Sequence, residues 1–198
     1  FLPSTVDWKA HDAALTQTTT FPDDPTTTLR WSLKRPTALA LKLRHPGWSR
    51  SATVLVNGKV ALRSQTPGFL EIARTWKDGD RVELRLEMRT SFETDHAAPG
   101  IAAFTYGPLV LAGALGTEGL APGADIVVNE RLYGKYNDSP FTPPKLTGDP
   151  ASVAARIRPT GKPLEFSVAS AGGGAVRLIP YHRIAHQRYA TYWRVSGS

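Results

Sequence analysis

The chain has 198 residues, of which 41% are hydrophobic, with a formal charge of +7 and no cysteine. That is enough apolar material for a packed core, which excludes wholesale disorder, and the lack of cysteine excludes thiolate nucleophiles, disulfides and cysteine-bound zinc among these residues. No apolar run approaches the ~20 residues of a membrane-spanning helix, and the basic residues are spread beside acids at strand spacing, as in Arg81-Val82-Glu83-Leu84-Arg85-Leu86-Glu87, which describes solvated faces instead of a nucleic-acid surface.

The chain begins at Phe1 and its only methionine is Met88, which reads as a missing upstream portion without a visible leader. Period-two alternation then dominates. Leu29, Trp31 and Leu33 alternate with polar neighbours, as do Leu39, Leu41 and Leu43. Val54-Leu55-Val56 leads into Asn57-Gly58, a pair that tolerates positive φ at both positions of a type I′ hairpin turn. Val60 and Leu62 would lie on the returning strand. Residues 68–74 form the next expected strand, followed by the tight turn Trp76-Lys77-Asp78-Gly79-Asp80, whose aspartates can accept from nearby backbone N–H groups. In residues 81–88, Val82, Leu84, Leu86 and Met88 face one way and charged residues the other, as in a half-buried antiparallel strand.

Residues 91–100 are polar and read as a junction. Residues 101–111 are mostly apolar and read as one strand buried on both faces, with Gly107 at a close backbone approach. The stretch 112–150, rich in Gly, Pro, Asp and Thr, predicts a long loop with at most one short helix. Alternation returns at 164–168, followed by a turn at 171–174, a segment at 176–181 and a terminal strand at 189–195. The predicted fold class is all-β: two antiparallel β-sandwich (jelly-roll-like) domains, residues 1–97 and 98–198, with little helix and a long loop at about 114–150.

The chemistry-bearing residue types are present but scattered. A glycosidase needs two carboxyl groups flanking a sugar, one held protonated. The acids here fall in turns (Asp23, Asp24, Asp78, Asp80) or on wet strand faces (Glu83, Glu87), so no catalytic residue is assigned. His182 and His186 lie four apart, but Pro180 opens the segment and no carboxylate completes a ligand set, so no metal residue is assigned either. His186 is read as a hydrogen-bonded residue at a loop-to-strand corner. No Gly-x-Ser-x-Gly elbow or phosphate loop occurs. Of the five tryptophans, Trp31 and Trp193 sit in alternating strands and are assigned to the core. Trp48 and Trp76 border turns and are the candidate carbohydrate-binding platforms, because an indole face packs against the C–H face of a sugar ring.

Seven segments, in order, resemble the C-terminal region of glycoside hydrolase family 127, the β-L-arabinofuranosidase-like family. They are Phe1-Leu2-Pro3-Ser4; Gln17-Thr18-Thr19-Thr20-Phe21-Pro22; Leu43-Arg44-His45-Pro46-Gly47-Trp48; Val56-Asn57-Gly58; the run Gly68-Phe69 through Ala73-Arg74-Thr75-Trp76-Lys77-Asp78-Gly79-Asp80; Tyr106-Gly107-Pro108-Leu109-Val110; and Pro180 through Tyr189 with Tyr192-Trp193. The last carries an extra residue between Ile184 and His186, and 114–150 has no counterpart. The resemblance implies an upstream (α/α)6 barrel followed by two β-sandwiches, and hydrolysis of terminal arabinofuranosyl-type linkages by the parent. It places the catalytic glutamate and a cysteine-bound zinc in that barrel, so no cofactor is expected in this fragment. The expected role is support of the barrel or of a homodimer, and the rival role is binding of a plant-type glycan through Trp48 and Trp76. No nucleic acid or membrane partner is expected, and a periplasmic or secreted parent is compatible with the composition.

Overall fold

The computed structural model describes residues 1–94, 100–118 and 142–196. They form two units that divide between Arg89 and Thr90, earlier than the expected 97/98. The difference arises because residues 90–94 are a strand, paired residue for residue with 102–106.

Unit 1 holds β1 (Ser4–Trp8), β2 (Ala13–Thr19), β3 (Thr26–Leu33), β4 (Thr37–His45), β5 (Ala52–Val56), β6 (Lys59–Ser64), β7 (Gly68–Trp76) and β8 (Arg81–Leu86). Six of these form an antiparallel sheet in the order β1-β2-β3-β8-β5-β6, and β4 pairs with β7 in a second sheet. Alternation decides which faces meet. Leu29, Trp31 and Leu33 of β3 and Val82, Leu84 and Leu86 of β8 are buried against Leu41 and Leu43 of β4 and Leu70 and Trp76 of β7. Losing any one of these leucines to alanine would cost roughly 2–5 kcal/mol. Asn57 and Gly58 both take positive φ, +50° and +79°, as the type I′ turn requires. A register shift opposite Val54 and Leu55 then pairs Val60 with Leu55. This bulge turns Val60 to the other side from Leu62 and leaves it exposed.

Unit 2 holds β9 (Thr90–Thr94), β10 (Ile101–Tyr106), β11 (Leu109–Ala114), β12 (Leu146–Thr147), helix α1 (Pro150–Arg156), β13 (Arg158–Pro159), β14 (Phe166–Ala169), β15 (Ala175–Pro180), β16 (Tyr189–Ala190) and β17 (Tyr192–Ser196). The single buried strand expected over 101–111 is instead a hairpin. Gly107, at φ +56°, reverses the chain so that Phe104 pairs with Leu111. The close approach falls at Gly113, where a Cβ would stand 2.6 Å from the Trp193 ring.

Of the long loop expected at 114–150, residues 119–141 lie outside the described residues. Its far end supplies β12 and α1. The Asp149 carboxylate accepts from the Ser152 N–H at 3.0 Å, and Pro150 occupies a first-turn position whose missing N–H loses no helical bond. Val153, Ala154 and Ile157 join Phe104, Leu111, Leu178 and Trp193 in one core. The strands form a single branched network, β12-β17-β10-β11-β15-β14-β13, with β9 on β10 and β16 on β11. All pairs are antiparallel except β12 with β17. Both units are β-rich, sandwich-like bodies, which is the expected class.

Candidate functional site

Segments that the sequence keeps far apart meet in unit 1. In the turn after β7, Asp78 Oδ1 accepts from the Leu33 N–H at 3.0 Å. Asp80 Oδ2 accepts from the Lys77 N–H at 2.9 Å, and its Oδ1 accepts from the Asn57 side-chain amide at 2.8 Å. Asn57 in turn accepts from the Arg81 N–H at 2.9 Å. Asp80 is only 8% exposed. The bonds from Asn57 and the Lys77 N–H hold its carboxyl below the usual carboxylate range. This knot ties the β5–β6 turn to the β7–β8 turn.

Trp76 does not lie on the surface. Its side chain is 0% exposed, its Nε1–H donates to the Leu39 carbonyl at 3.0 Å, and its ring lies 5.7 Å from that of Trp31. The Arg74 guanidinium covers it at 5.2 Å. Trp76 ends β7 and shares its parity with Leu70 and Ile72, so it turns inward, and its expected exposure is corrected. A ring with no accessible face cannot stack on a sugar.

Trp48 is half-buried and packs on the unit 1 core. The turn that carries it is held by His45, a buried residue whose Nε2–H donates to the Ser49 carbonyl at 2.9 Å. Phe21 stacks on Trp48 at 5.9 Å with planes 25° apart, and Phe1 meets Phe21 edge-on at 5.2 Å. Three of the recognisable segments thus converge on one aromatic cluster, and Phe21 occupies one face of the Trp48 ring.

A second surface has no local sign in the sequence. Val6 and Trp8 of β1 pair with Leu15 and Ala13, which pair with Trp31 and Leu33. Cross-strand partners share a face, so Val6 and Trp8 belong to the core side of the sheet. Val6 is nevertheless 60% exposed and Trp8 45%, because β4 and β7 are too narrow a layer to reach them. Leu2, just before β1, is exposed as well. β1 is also an edge strand, with one row of backbone groups unpaired among the described residues.

Among the described residues, the acids do not assemble an acid–base pair. Asp7, Asp12 and Asp78 line a cavity of about 490 Å3 with Lys9 and Lys34. Lys34 Nζ lies 2.7 Å from Asp12 Oδ1, and this contact holds the Asp12 carboxyl below its ordinary value, the opposite of what a general acid needs. His182 lies in the short 3-10 turn Tyr181–Arg183, and His186 takes a left-handed φ of +46°. Among the described residues no three His, Asp or Glu side chains converge on a metal position. With no cysteine in the sequence, these residues do not fit the zinc that the resemblance places in a barrel.

The two units coincide with two family matches. Residues 1–88 match the GH127 middle domain of β-L-arabinofuranosidase, and residues 92–195 match a family described as a domain of unknown function, DUF4986. Each β-rich unit is thus covered by its own family match. The chain belongs to the DUF4986 family through residues 92–195, more than half its length, and residues 1–88 match the GH127 middle domain. Several solved structures share the fold. One is described as a glycoside hydrolase, with TM-score 0.65 and 21% identity over 97% of this chain and 34% of that one. Another is a GH127 β-arabinofuranosidase, with TM-score 0.63 and 19% identity over 98% of this chain and 33% of that one. The third is a GH127 β-L-arabinofuranosidase from Geobacillus stearothermophilus T6, with TM-score 0.60 and 20% identity over 98% and 32%. The chain therefore spans about a third of the length of the solved structures it matches. No curated protein matches it.

Proposed function

We propose that this chain is a non-catalytic support region of a larger GH127 glycoside hydrolase, and that unit 1 packs against the rest of that protein through the open core face of β1. The observation that carries this reading is the exposure of Val6 and Trp8 on a face whose neighbours, Trp31 and Leu33, are buried. A stable domain seldom leaves core-facing side chains uncovered unless another body meets them. The two-thirds of each relative that lies outside the matched region supplies such a body.

Hydrogen exchange tests this directly. The amides of residues 4–8 should exchange fast in the 198-residue chain and slow by at least about tenfold in a protein that carries the GH127 barrel on the same polypeptide, because docking removes local opening. Equal exchange in both, with equal quenching of Trp8 by iodide, would refute the docking. A role in sugar hydrolysis by the parent belongs to the same proposal, and would fail if the longer protein released no arabinose from terminal arabinofuranosides.

A further inference from the structure

Unit 2 carries a cavity that neither the core nor the support role uses. The loop between β15 and β16 folds back on itself, and Tyr181, His182, Ile184, His186, Gln187 and Tyr189 line a hollow of about 390 Å3. That lies within the ~300–1,000 Å3 typical of small-molecule sites. Tyr181 and Tyr189 are both exposed on its wall. Their ring centroids are 5.4 Å apart with planes at 50°, which makes an angled aromatic wall.

The loop is anchored at both ends. The Ile184 N–H donates to the Tyr181 carbonyl at 3.0 Å, and the Arg188 N–H to the Gly116 carbonyl at 2.8 Å. The Leu115 N–H donates back to the Arg188 carbonyl at 2.9 Å. Within this frame His186 adopts φ +46°, a conformation that costs a non-glycine residue roughly 1–2 kcal/mol. Strain of this kind persists where the surroundings over-determine it, and it gathers at binding loops.

The lining selects a ligand chemistry. It contains no carboxylate and no lysine or arginine, so no ammonium, guanidinium or carboxylate group is there to select a strongly charged ligand. The nearby guanidinium groups are engaged elsewhere, Arg183 with the Pro163 carbonyl at 3.2 Å and Arg188 with the Glu118 carbonyl at 2.8 Å. What remains is two aromatic faces, two imidazoles and a primary amide, a set that both donates and accepts. The two phenol oxygens lie 3.4 Å apart, a weak contact that leaves each hydroxyl able to turn to a ligand. Apolar faces beside groups that donate and accept suit a sugar, whose C–H faces pack on aromatic rings and whose hydroxyls need both partners.

We propose that the Tyr181–Tyr189 loop is a binding site for a neutral oligosaccharide, with one sugar ring against the tyrosine wall and its hydroxyls bonded to His182, His186 and Gln187. This site lies in unit 2, not at Trp48 or Trp76, and it stands or falls independently of the docking of β1.

The experiment is an NMR titration of the whole 198-residue chain with arabinotriose, xylotriose and cellotriose, each taken to about 10 mM, where a millimolar site is occupied. Shift changes confined to the amides of 181–189 with at least one trisaccharide are expected. Y181A and Y189A should each weaken binding by about tenfold, and Y181F by about threefold or less, because it keeps the ring. W48A should leave affinity unchanged. Should an alanine variant fail to fold, the wild-type shift map and Y181F still decide the matter. No shift with any trisaccharide, shifts centred on Trp48, or undiminished binding by a folded Y181A/Y189A double variant would overturn the proposal.

Discussion

Replacing Asp80 with alanine removes the acceptor that joins two turns of unit 1. The carboxylate takes hydrogen bonds from the Asn57 amide at 2.8 Å and the Lys77 N–H at 2.9 Å. Bonds to a charged group contribute about 1.5–3 kcal/mol each. Water can reach part of the vacated site, since Asp80 is 8% exposed, so the expected net loss is about 3 kcal/mol, near the low end for the pair. For a unit of this size that corresponds to a fall in Tm of roughly 12–24 °C. The folded carboxyl titrates below its ordinary value, which is about 3.9 in an unfolded chain. Its contribution is therefore complete above that pH and drains away as the pH falls through the lower folded value. Wild type and D80A should differ fully at neutral pH and converge in strong acid. The assay is urea unfolding followed by tryptophan fluorescence, because Trp8, Trp31, Trp48 and Trp76 all lie in unit 1. A loss under about 0.5 kcal/mol, the size of an ordinary surface change, would refute the account of the knot. So would a difference that does not change between neutral pH and strong acid.

W76A should destabilise unit 1 by about 3–5 kcal/mol, whereas W48A, at a half-buried ring, should cost about 1–2 kcal/mol, both read by urea unfolding. G113A should destabilise unit 2 by about 1–3 kcal/mol, because the added methyl would press on the Trp193 ring, and the loss should appear in the calorimetric transition of unit 2 with that of unit 1 unmoved.

The strands legible in the sequence are those with one wet and one dry face. Val82, Leu84 and Leu86 show their side by alternation alone, and Asn57-Gly58 names its own turn. What stayed hidden depends on contacts between distant segments. Trp76 stands beside a turn in the sequence, but its parity with Leu70 and the cover of Arg74 bury it. Residues 91–94 fall in the stretch 91–100 read as a polar junction, yet they belong to a strand paired with β10, and Thr90 of that strand donates its hydroxyl to the Ala154 carbonyl at 3.2 Å. Gly107 was readable as special, yet a positive φ serves a turn as well as a close approach, and the contact that truly needs glycine is at Gly113. Val6 and Trp8 carry no local sign that their side of the sheet outruns its cover. The tyrosine wall of unit 2 was equally silent, because it exists only once the loop brings Tyr181 and Tyr189 together.

The last strand of unit 2 sets an order of events during synthesis. β16 pairs with Gly113 and Ala114, and β17 pairs with Ile101 to Ala103, so the middle of the unit stays open until residues some ninety positions later arrive to fill it. Unit 1 needs nothing beyond β8 to close its own sheets. On the ribosome the first unit can therefore finish while the second still waits with Phe104 and Leu111 uncovered, and that interval is when a nascent chain of this design most needs a chaperone.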